Sequence, residues 1–458
     1  MKIVVCLALS LCAVAAPLAA QDGVIPTKLS LAEALRLADE RNPVLASARA
    51  VAAMAGADVV TARTRPNPEL SAGSEGYALF GADRPGFWNG QEFSLRVDQE
   101  IEMGGRLRLR TESAEAGKRS AQASFEDERR RLRFDVRRAY LQLALARADQ
   151  AAAKTSLEEI DRVIAMNRAR LEQGEISGGE MRRIQVERLR FMDDAFGADL
   201  AVRNATSALL ALLNAPRLDQ DVEVTDTLMP LAAGDRRDAG PTGSPADRRD
   251  AGPTGVAGSS LVSSGTGVSP VTTGVSPIAA SDALAREALA NRADLAAARE
   301  DQSRADAETR LQRALKTPNL VVGGGYKRNF GDNGLIVGLS IPLPVFDRNA
   351  GGQARAEAGR QVAASRVEAT RLAVALEVQQ AANAIAINRA RVEYIERESL
   401  GYAREARDIV LTSYNAGAAD LLDFLDAQRA LRETQRLYSR ALYDYRVSLF
   451  QLDAAVGR

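Results

Sequence analysis

Phe93-Ser94-Leu95-Arg96-Val97-Asp98-Gln99-Glu100-Ile101 places apolar residues at alternate positions with polar or charged ones between them, and Gln99 is the single lapse. A period of two puts each set on its own side of a pleated strand. Glu102-Met103-Gly104-Gly105 breaks the pattern, and from Arg106 no proline occurs until Pro216. The residues that follow are rich in Ala, Leu, Arg, Glu and Gln, all good helix formers. A strand that runs into a helix of unusual length therefore decides the fold.

The same boundary occurs twice. Gln99 to Arg106 aligns with Ile341 to Arg348, Leu45-Ala46-Ser47-Ala48-Arg49 returns as Leu295-Ala296-Ala297-Ala298-Arg299, Pro68 returns as Pro318, and Gly174 as Gly417. The chain is a duplication, with the register drifting slightly through unequal loops. Each copy predicts a helical start (31–63 and 281–315), two strands (69–77 and 92–101; 319–328 and 335–343), a long helix (105–173 and 348–415), a glycine turn, and a returning helix (179–214 and 419–456). At roughly 1.5 Å per residue each long helix spans about 100 Å, too long for a compact domain. In the last helix Leu431, Tyr438, Leu442, Tyr445, Leu449, Leu452 and Val456 keep a three-four spacing, so helix packs on helix along its length.

The predicted strands are about 9 to 10 residues long, the length a tilted strand needs to cross a bilayer. Unpaired backbone groups in lipid cost several kcal/mol each, so four strands per chain cannot remain open. Small barrels begin at about eight strands; two chains would pool eight and three would pool twelve. Phe80, Phe87, Trp88 and Phe330 lie in the intervening loops, where interfacial girdles and ordinary hairpin packing both account for aromatics.

Composition removes other classes. The chain holds 60 basic and 60 acidic residues, no histidine and two cysteines. Residues 1–20 read as a secretory signal: Lys2, an apolar run from Ile3 to Ala16, then small residues. Both cysteines lie inside it, so the mature chain has no thiolate or imidazole for a metal site, a cofactor or a triad. Zero net charge gives no electrostatic case for nucleic acid. The basic runs Arg106–Arg110 and Arg129–Arg131 sit among carboxylates and predict a salt-bridged solvent face. No stretch of 18 consecutive apolar residues follows the signal, so any membrane insertion must use strands. Residues 229–280 shift to Gly, Ser, Pro and Thr with internal copies, which predicts a disordered low-complexity linker between a first repeat at 21–228 and a second at 281–458. The glycine-rich Gly323-Gly324-Gly325 and Asn349-Ala350-Gly351-Gly352 lack the lysine-serine/threonine ending of a nucleotide loop.

Several motifs carry a resemblance: Asn42-Pro43-Val44-Leu45, Val97-Asp98-Gln99-Glu100-Ile101-Glu102-Met103-Gly104-Gly105-Arg106, Asn291-Arg292-Ala293-Asp294-Leu295, Ile341-Pro342-Leu343-Pro344-Val345-Phe346-Asp347-Arg348, and Tyr414-Asn415-Ala416-Gly417. In this order and in two halves, the chain resembles the TolC-type outer membrane efflux proteins, particularly the branch of the cobalt-zinc-cadmium efflux outer membrane component. The resemblance implies a mainly α fold with a transmembrane β portion: a homotrimer with a twelve-stranded barrel in the outer membrane lipid of a Gram-negative bacterium and an α-helical periplasmic tunnel. It also implies docking onto a periplasmic adaptor and an inner membrane pump of the resistance-nodulation-division type.

By position, Asp423, Asp426 and Glu180 match the family's acidic residues at the tunnel entrance, and Tyr414 matches a tyrosine of its gate network. Asp423 and Asp426 lie three apart, on one helix face; in a trimer they would form rings of like charge, a device for cation selectivity. The competing reading is local, since acids in a first helical turn cap amides and suit the helix dipole at about 0.3–1 kcal/mol each. Where the family has a basic residue between this tyrosine and the acids, this chain has Ala418 and Ala419. In the first copy Glu180 corresponds to Asp423 and Arg183 to Asp426. The expected function is a passive conduit for heavy-metal cations, without catalysis, cofactor or tight metal site. Alternatives are the same channel passing drugs, organic solutes or secreted polypeptide, and a periplasmic coiled-coil adaptor with no pore.

Overall fold

The computed structural model describes residues 25–75, 92–226, 277–329 and 332–458. The expected signal sequence, the loop aromatics Phe80, Phe87, Trp88 and Phe330, and residues 229–276 of the expected linker lie outside the described residues. The chain opens with β1 (Lys28–Leu29), α1 (Leu31–Arg41), α2 (Pro43–Arg63), β2 (Glu69–Glu75), β3 (Glu92–Ile101), α3 (Arg106–Glu172), α4 (Gly178–Leu212) and β4 (Glu223–Val224). The second half repeats the scheme: α5 (Pro277–Asn291), α6 (Ala293–Ala314), β5 (Leu320–Asn329), β6 (Asp332–Ser340), α7 (Ala350–Tyr394), a π-helical turn (Ile395–Ser399), α8 (Leu400–Asn415) and α9 (Leu421–Val456). Helix α5 thus starts at Pro277, inside the stretch assigned to the linker.

Three expected helices are interrupted. The helix expected over 31–63 breaks at Asn42, because Pro43 disfavours helical backbone at the residue before it and the Asn42 side chain accepts from the amides of Val44 and Leu45 to cap α2. The helix expected over 281–315 breaks at the equivalent Arg292, where no proline follows; there the guanidinium, 2% exposed, is held by Asp294 at 2.6 Å and Glu377 at 2.6 Å and reaches the carbonyls at the end of α9. The helix expected over 348–415 contains the π turn, whose extra residue rotates the following faces. Strand β6 ends at Ser340, short of the alternation that continues to Leu343. Pro342 and Pro344 have no amide to donate to a ladder.

The four long strands form one antiparallel sheet in the order β2-β3-β5-β6, so the two repeats join at β3–β5 and the sheet has open edges at β2 and β6. Register sorts the side chains into two faces. Leu70, Phe93, Leu95, Val97, Val322, Tyr326, Leu335, Val337 and Leu339 share one face and are all exposed. The other face carries Glu69, Glu75, Glu92, Arg96, Asp98, Glu100, Lys327 and Asp332. Arg96 is ion-paired with Asp98 at 2.7 Å and lies flat over Gly323 and Gly338, where a Cβ would strike its guanidinium.

Below the sheet, α3 packs on α2, α4, α6 and α9, and α7 and α8 pack on α9. The basic runs are tertiary clamps as well as solvated charges. Arg110 pairs with Glu102 at 2.6 Å and donates to the Ala62 and Thr64 carbonyls closing α2, while Arg106 donates to the Leu315 and Thr317 carbonyls closing α6. Arg130 and Arg131 share the buried carboxylate of Asp127. The largest apolar cluster includes Leu29, Leu37, Val136, Leu143, Leu209, Leu210, Leu213 and Val222. In it the Tyr140 hydroxyl lies 2.9 Å from both the Leu29 carbonyl and the Asp226 carboxylate. This anchors the short parallel pair β1–β4, which the sequence pattern did not reveal because two-residue strands have no period. Helix α2 is, among the described residues, the one helix long and apolar enough by composition to cross a membrane. It contains Arg49 and Asp58 and lies along α3.

Candidate functional site

Two helical tips built to one plan form the end opposite the sheet. Gly174 (φ 78°) and Gly417 (φ 73°) are left-handed, a conformation that an L side chain disfavours. At the first tip the Gly174 amide donates to the Leu171 carbonyl and the Glu175 amide to Arg170; at the second, Gly417 donates to Tyr414 and Ala418 to Ser413. These paired bonds are a Schellman closure, which satisfies carbonyls the helix leaves open.

Each chain reversal then starts a helix with an acid at its third position. The Ser177 hydroxyl accepts from the Glu180 amide at 3.2 Å while the Glu180 carboxylate accepts from the Ser177 amide at 2.8 Å. At the second tip the Asp423 carboxylate accepts from the Asp420 amide at 3.4 Å. Glu180 and Asp423 therefore both serve as helix caps, and both are exposed. Capping leaves their charge in place, so the geometry accommodates both roles considered for them. Asp426, one turn further along and also exposed, pairs with Arg429 at 2.9 Å; Arg429 in turn reaches Glu187 of α4 at 3.2 Å. Asp426 is thus coupled to the other hairpin through a cation.

Tyr414 is buried between the hairpins. Its hydroxyl donates to Asn167 Oδ1 of α3 at 2.8 Å, and Asn167 donates its own amide to the Val163 carbonyl at 2.8 Å. One face of the ring stacks on Phe424, with centroids 5.8 Å apart and an interplanar angle of 16°, and the Arg170 guanidinium lies 5.5 Å from the ring centroid. Arg170 also donates to the Asn415 carbonyl at 3.2 Å. Ile160, Val163, Ile164, Met181, Ile184, Phe191 and Leu425 pack around this junction.

The structure thus connects Tyr414 through Phe424 to the first turn of α9, which carries Asp423, with Asp426 one turn on, and places Glu180 at the position of the other tip equivalent to Asp423. Asn167, Arg170, Glu187 and Arg429 were not foreseen. The guanidinium that lies beside Tyr414 is that of Arg170 from the first repeat, and its contacts are the ring, the Asn415 carbonyl and Glu175 rather than Asp423 or Asp426. The only sequence signal for Arg170 was its place one turn before Gly174.

Comparison with known proteins bears on the family and the fold. The sequence matches the family described as outer membrane efflux protein over residues 34–215 and 284–458. It is 24% identical over 434 residues to the cobalt-zinc-cadmium resistance protein CzcC of Cupriavidus metallidurans, covering 94% of this chain and 90% of that one. It is 27% identical over 193 residues to the outer membrane protein TolC of Vibrio cholerae, covering 39% of this chain and 43% of that one. Among solved structures, VceC of Vibrio cholerae superposes with a TM-score of 0.71 at 19% identity, covering 93% of this chain and 96% of that one. CusC superposes with a TM-score of 0.70 at 18% identity, covering 93% and 92%. The fold is that of these channels, and the chain belongs to the outer membrane efflux protein family.

Proposed function

We propose that three copies of this chain close a twelve-stranded barrel in the outer membrane, with their helices forming a periplasmic tunnel, and that the assembly is a passive conduit for heavy-metal cations. The two faces and two open edges of the sheet carry this conclusion. An apolar face suits lipid, a charged face suits a water-filled lumen, and edges β2 and β6 must pair with other copies because a bilayer cannot solvate them. Exposed apolar stripes support lateral packing: Val186, Leu189, Phe196 and Leu200 on α4, and Leu372, Leu376, Ile387 and Tyr394 on α7. A periplasmic adaptor without a pore has no use for such a sheet.

For the cargo, the charged face sets Glu69, Glu75, Glu92, Asp98, Glu100 and Asp332 against Arg96 and Lys327, a surplus of acid that favours cations. Among the described residues no cluster of His, Cys, Asp and Glu could hold a metal ion. The relative named for cobalt, zinc and cadmium resistance points the same way as the acid surplus. Energy would come from an inner membrane pump of the resistance-nodulation-division type, reached through a periplasmic adaptor. The tip residues Asp423, Asp426, Glu180 and Tyr414 would form the gate.

Deleting the chain and growing cells on zinc, cobalt and cadmium salts beside a drug panel tests the cargo. Metal tolerance is expected to fall; unchanged metal tolerance with lost drug tolerance favours the organic-solute channel. Purified protein in planar bilayers should give discrete, cation-preferring conductance steps, and silence there would sink the channel.

A further inference from the structure

We propose that the cleft between α3, α8 and α9, just beyond the π turn, binds a small oxyanion that carries a proton, of the chemical class of hydrogen phosphate. The cleft has a volume of about 340 Å³ and is lined by Ser156, Glu159, Arg404, Arg407, Gln428 and Arg432, among others. That space holds a phosphate-sized ion with several waters, each taking about 30 Å³ of liquid.

Unmet hydrogen bonds converge on this cleft. Among the described residues, five buried side-chain polar atoms lack a partner, and three of them, Arg407 Nε, Gln428 Oε1 and Arg432 Nη1, belong to its lining. Buried polar atoms left unpaired are costly enough that each needs an explanation. Arg407 lies 3.3 Å from the Asp408 carboxylate and Arg432 lies 2.7 Å from that of Asp194, but neither contact has hydrogen-bond geometry at the atom in question. Both of those carboxylates stand outside the lining. The lining thus carries three guanidiniums and the carboxylate of Glu159, with Asp408 and Asp194 paired to two of the guanidiniums from behind, so Arg404 is the cation of the lining left without an ion pair among the described residues.

Gln428 specifies the kind of anion. It is 5% exposed, and its Nε2 donates to Glu159, which fixes the amide orientation and turns Oε1 away from that carboxylate without a donor. A ligand that satisfies the site must accept from guanidinium N–H groups and donate one O–H to Gln428. Hydrogen phosphate does both; sulfate at neutral pH has no O–H to give. The π turn contributes the placement. Leu400 follows it directly and lines the cleft, and without the extra residue the helix would carry Arg404 and Arg407 about 100° around its axis. None of this depends on the cargo of the channel.

The test uses the full-length protein in detergent micelles at constant ionic strength and neutral pH. Inorganic phosphate is titrated and followed by calorimetry and by the melting temperature of the helices, with sulfate as the comparator. Saturable phosphate binding that raises the melting temperature is expected, with sulfate weaker by about tenfold or more. Arg404→Gln and Arg407→Gln should each weaken phosphate by about tenfold or more, and Arg404 is exposed enough for its variant to fold. Lack of saturable binding would mean that water alone fills the cleft and would overturn the proposal, as would phosphate affinity unchanged in both variants. Equal affinity for sulfate would overturn the role given to Gln428.

Discussion

The Tyr414 hydroxyl and Asn167 Oδ1 meet at 2.8 Å across the two repeats, inside a buried cluster that ties the α8–α9 hairpin to α3. Replacing Tyr414 with Phe keeps the stacking on Phe424 and removes only this bond. The buried Asn167 oxygen is then left without a donor, and the loss is about 1–3 kcal/mol. If the proposed gate is held shut by this link, Tyr414→Phe will lengthen open times and raise mean conductance in planar bilayers. Unchanged single-channel traces would assign the bond to stability alone.

Capping and charge at the tip can be separated chemically. Asn retains an acceptor oxygen for the Asp420 amide but carries no charge, so Asp423→Asn preserves the cap. If Asp423 and Asp426 form charged rings, Asp423→Asn and Asp426→Asn will each shift the reversal potential toward weaker cation preference, and the pair will shift it further. A reversal potential that does not move leaves capping, and the bridge from Asp426 through Arg429 to Glu187, as the whole role of these acids.

Gly174→Ala and Gly417→Ala should each destabilise by about 1–2 kcal/mol through backbone conformation alone. A Cβ at either position meets no atom within 4 Å. Gly401, within α8 and equally unobstructed, is the control, and Gly401→Ala should be neutral or stabilising. Thermal unfolding of the three variants decides this; equal melting temperatures would mean that the tips tolerate a different turn.

Asp294 should contribute to acid sensitivity. Burial pushes its carboxyl up, but the hydrogen bond and charge of Arg292, the Leu295 amide and the charge of Arg130 outweigh burial and hold it below the usual carboxylate range. A depressed folded-state pKa contributes stability that is present above the unfolded value of about 3.9 and is lost as pH falls through the folded value. Asp294→Asn should therefore lower stability at neutral pH and flatten its decline below about pH 4. Denaturation curves across that range that match the parent slope would reject the assignment.

Much of the fold was legible because long periodic segments repeat their signal. Leu431, Leu442, Tyr445 and Val456 from the predicted seam are all buried, and the period-two segments became strands whose faces follow the alternation. Breaks in the elements were harder to read. Asn42-Pro43 carried a visible stop, whereas Arg292 breaks a helix through contacts with Glu377 and the end of α9, residues far along the chain. The site divided in the same way. Glu180 and Asp423 could be placed by their spacing from the glycines, but Asn167 and Arg170 acquire their roles only when the first repeat packs against Tyr414.

By itself the sequence determined the duplication, the strand and helix periods, and the two left-handed glycine turns, since each depends on backbone preferences and hydrophobic spacing within a few turns of chain. Only the tertiary structure decided that β3 pairs with β5, that Arg106 and Arg110 close different helices, and that the guanidinium over the Tyr414 ring comes from the other repeat. Those are contacts between residues up to about 250 positions apart, and local propensity carries no information about which distant side chain will fill a given space.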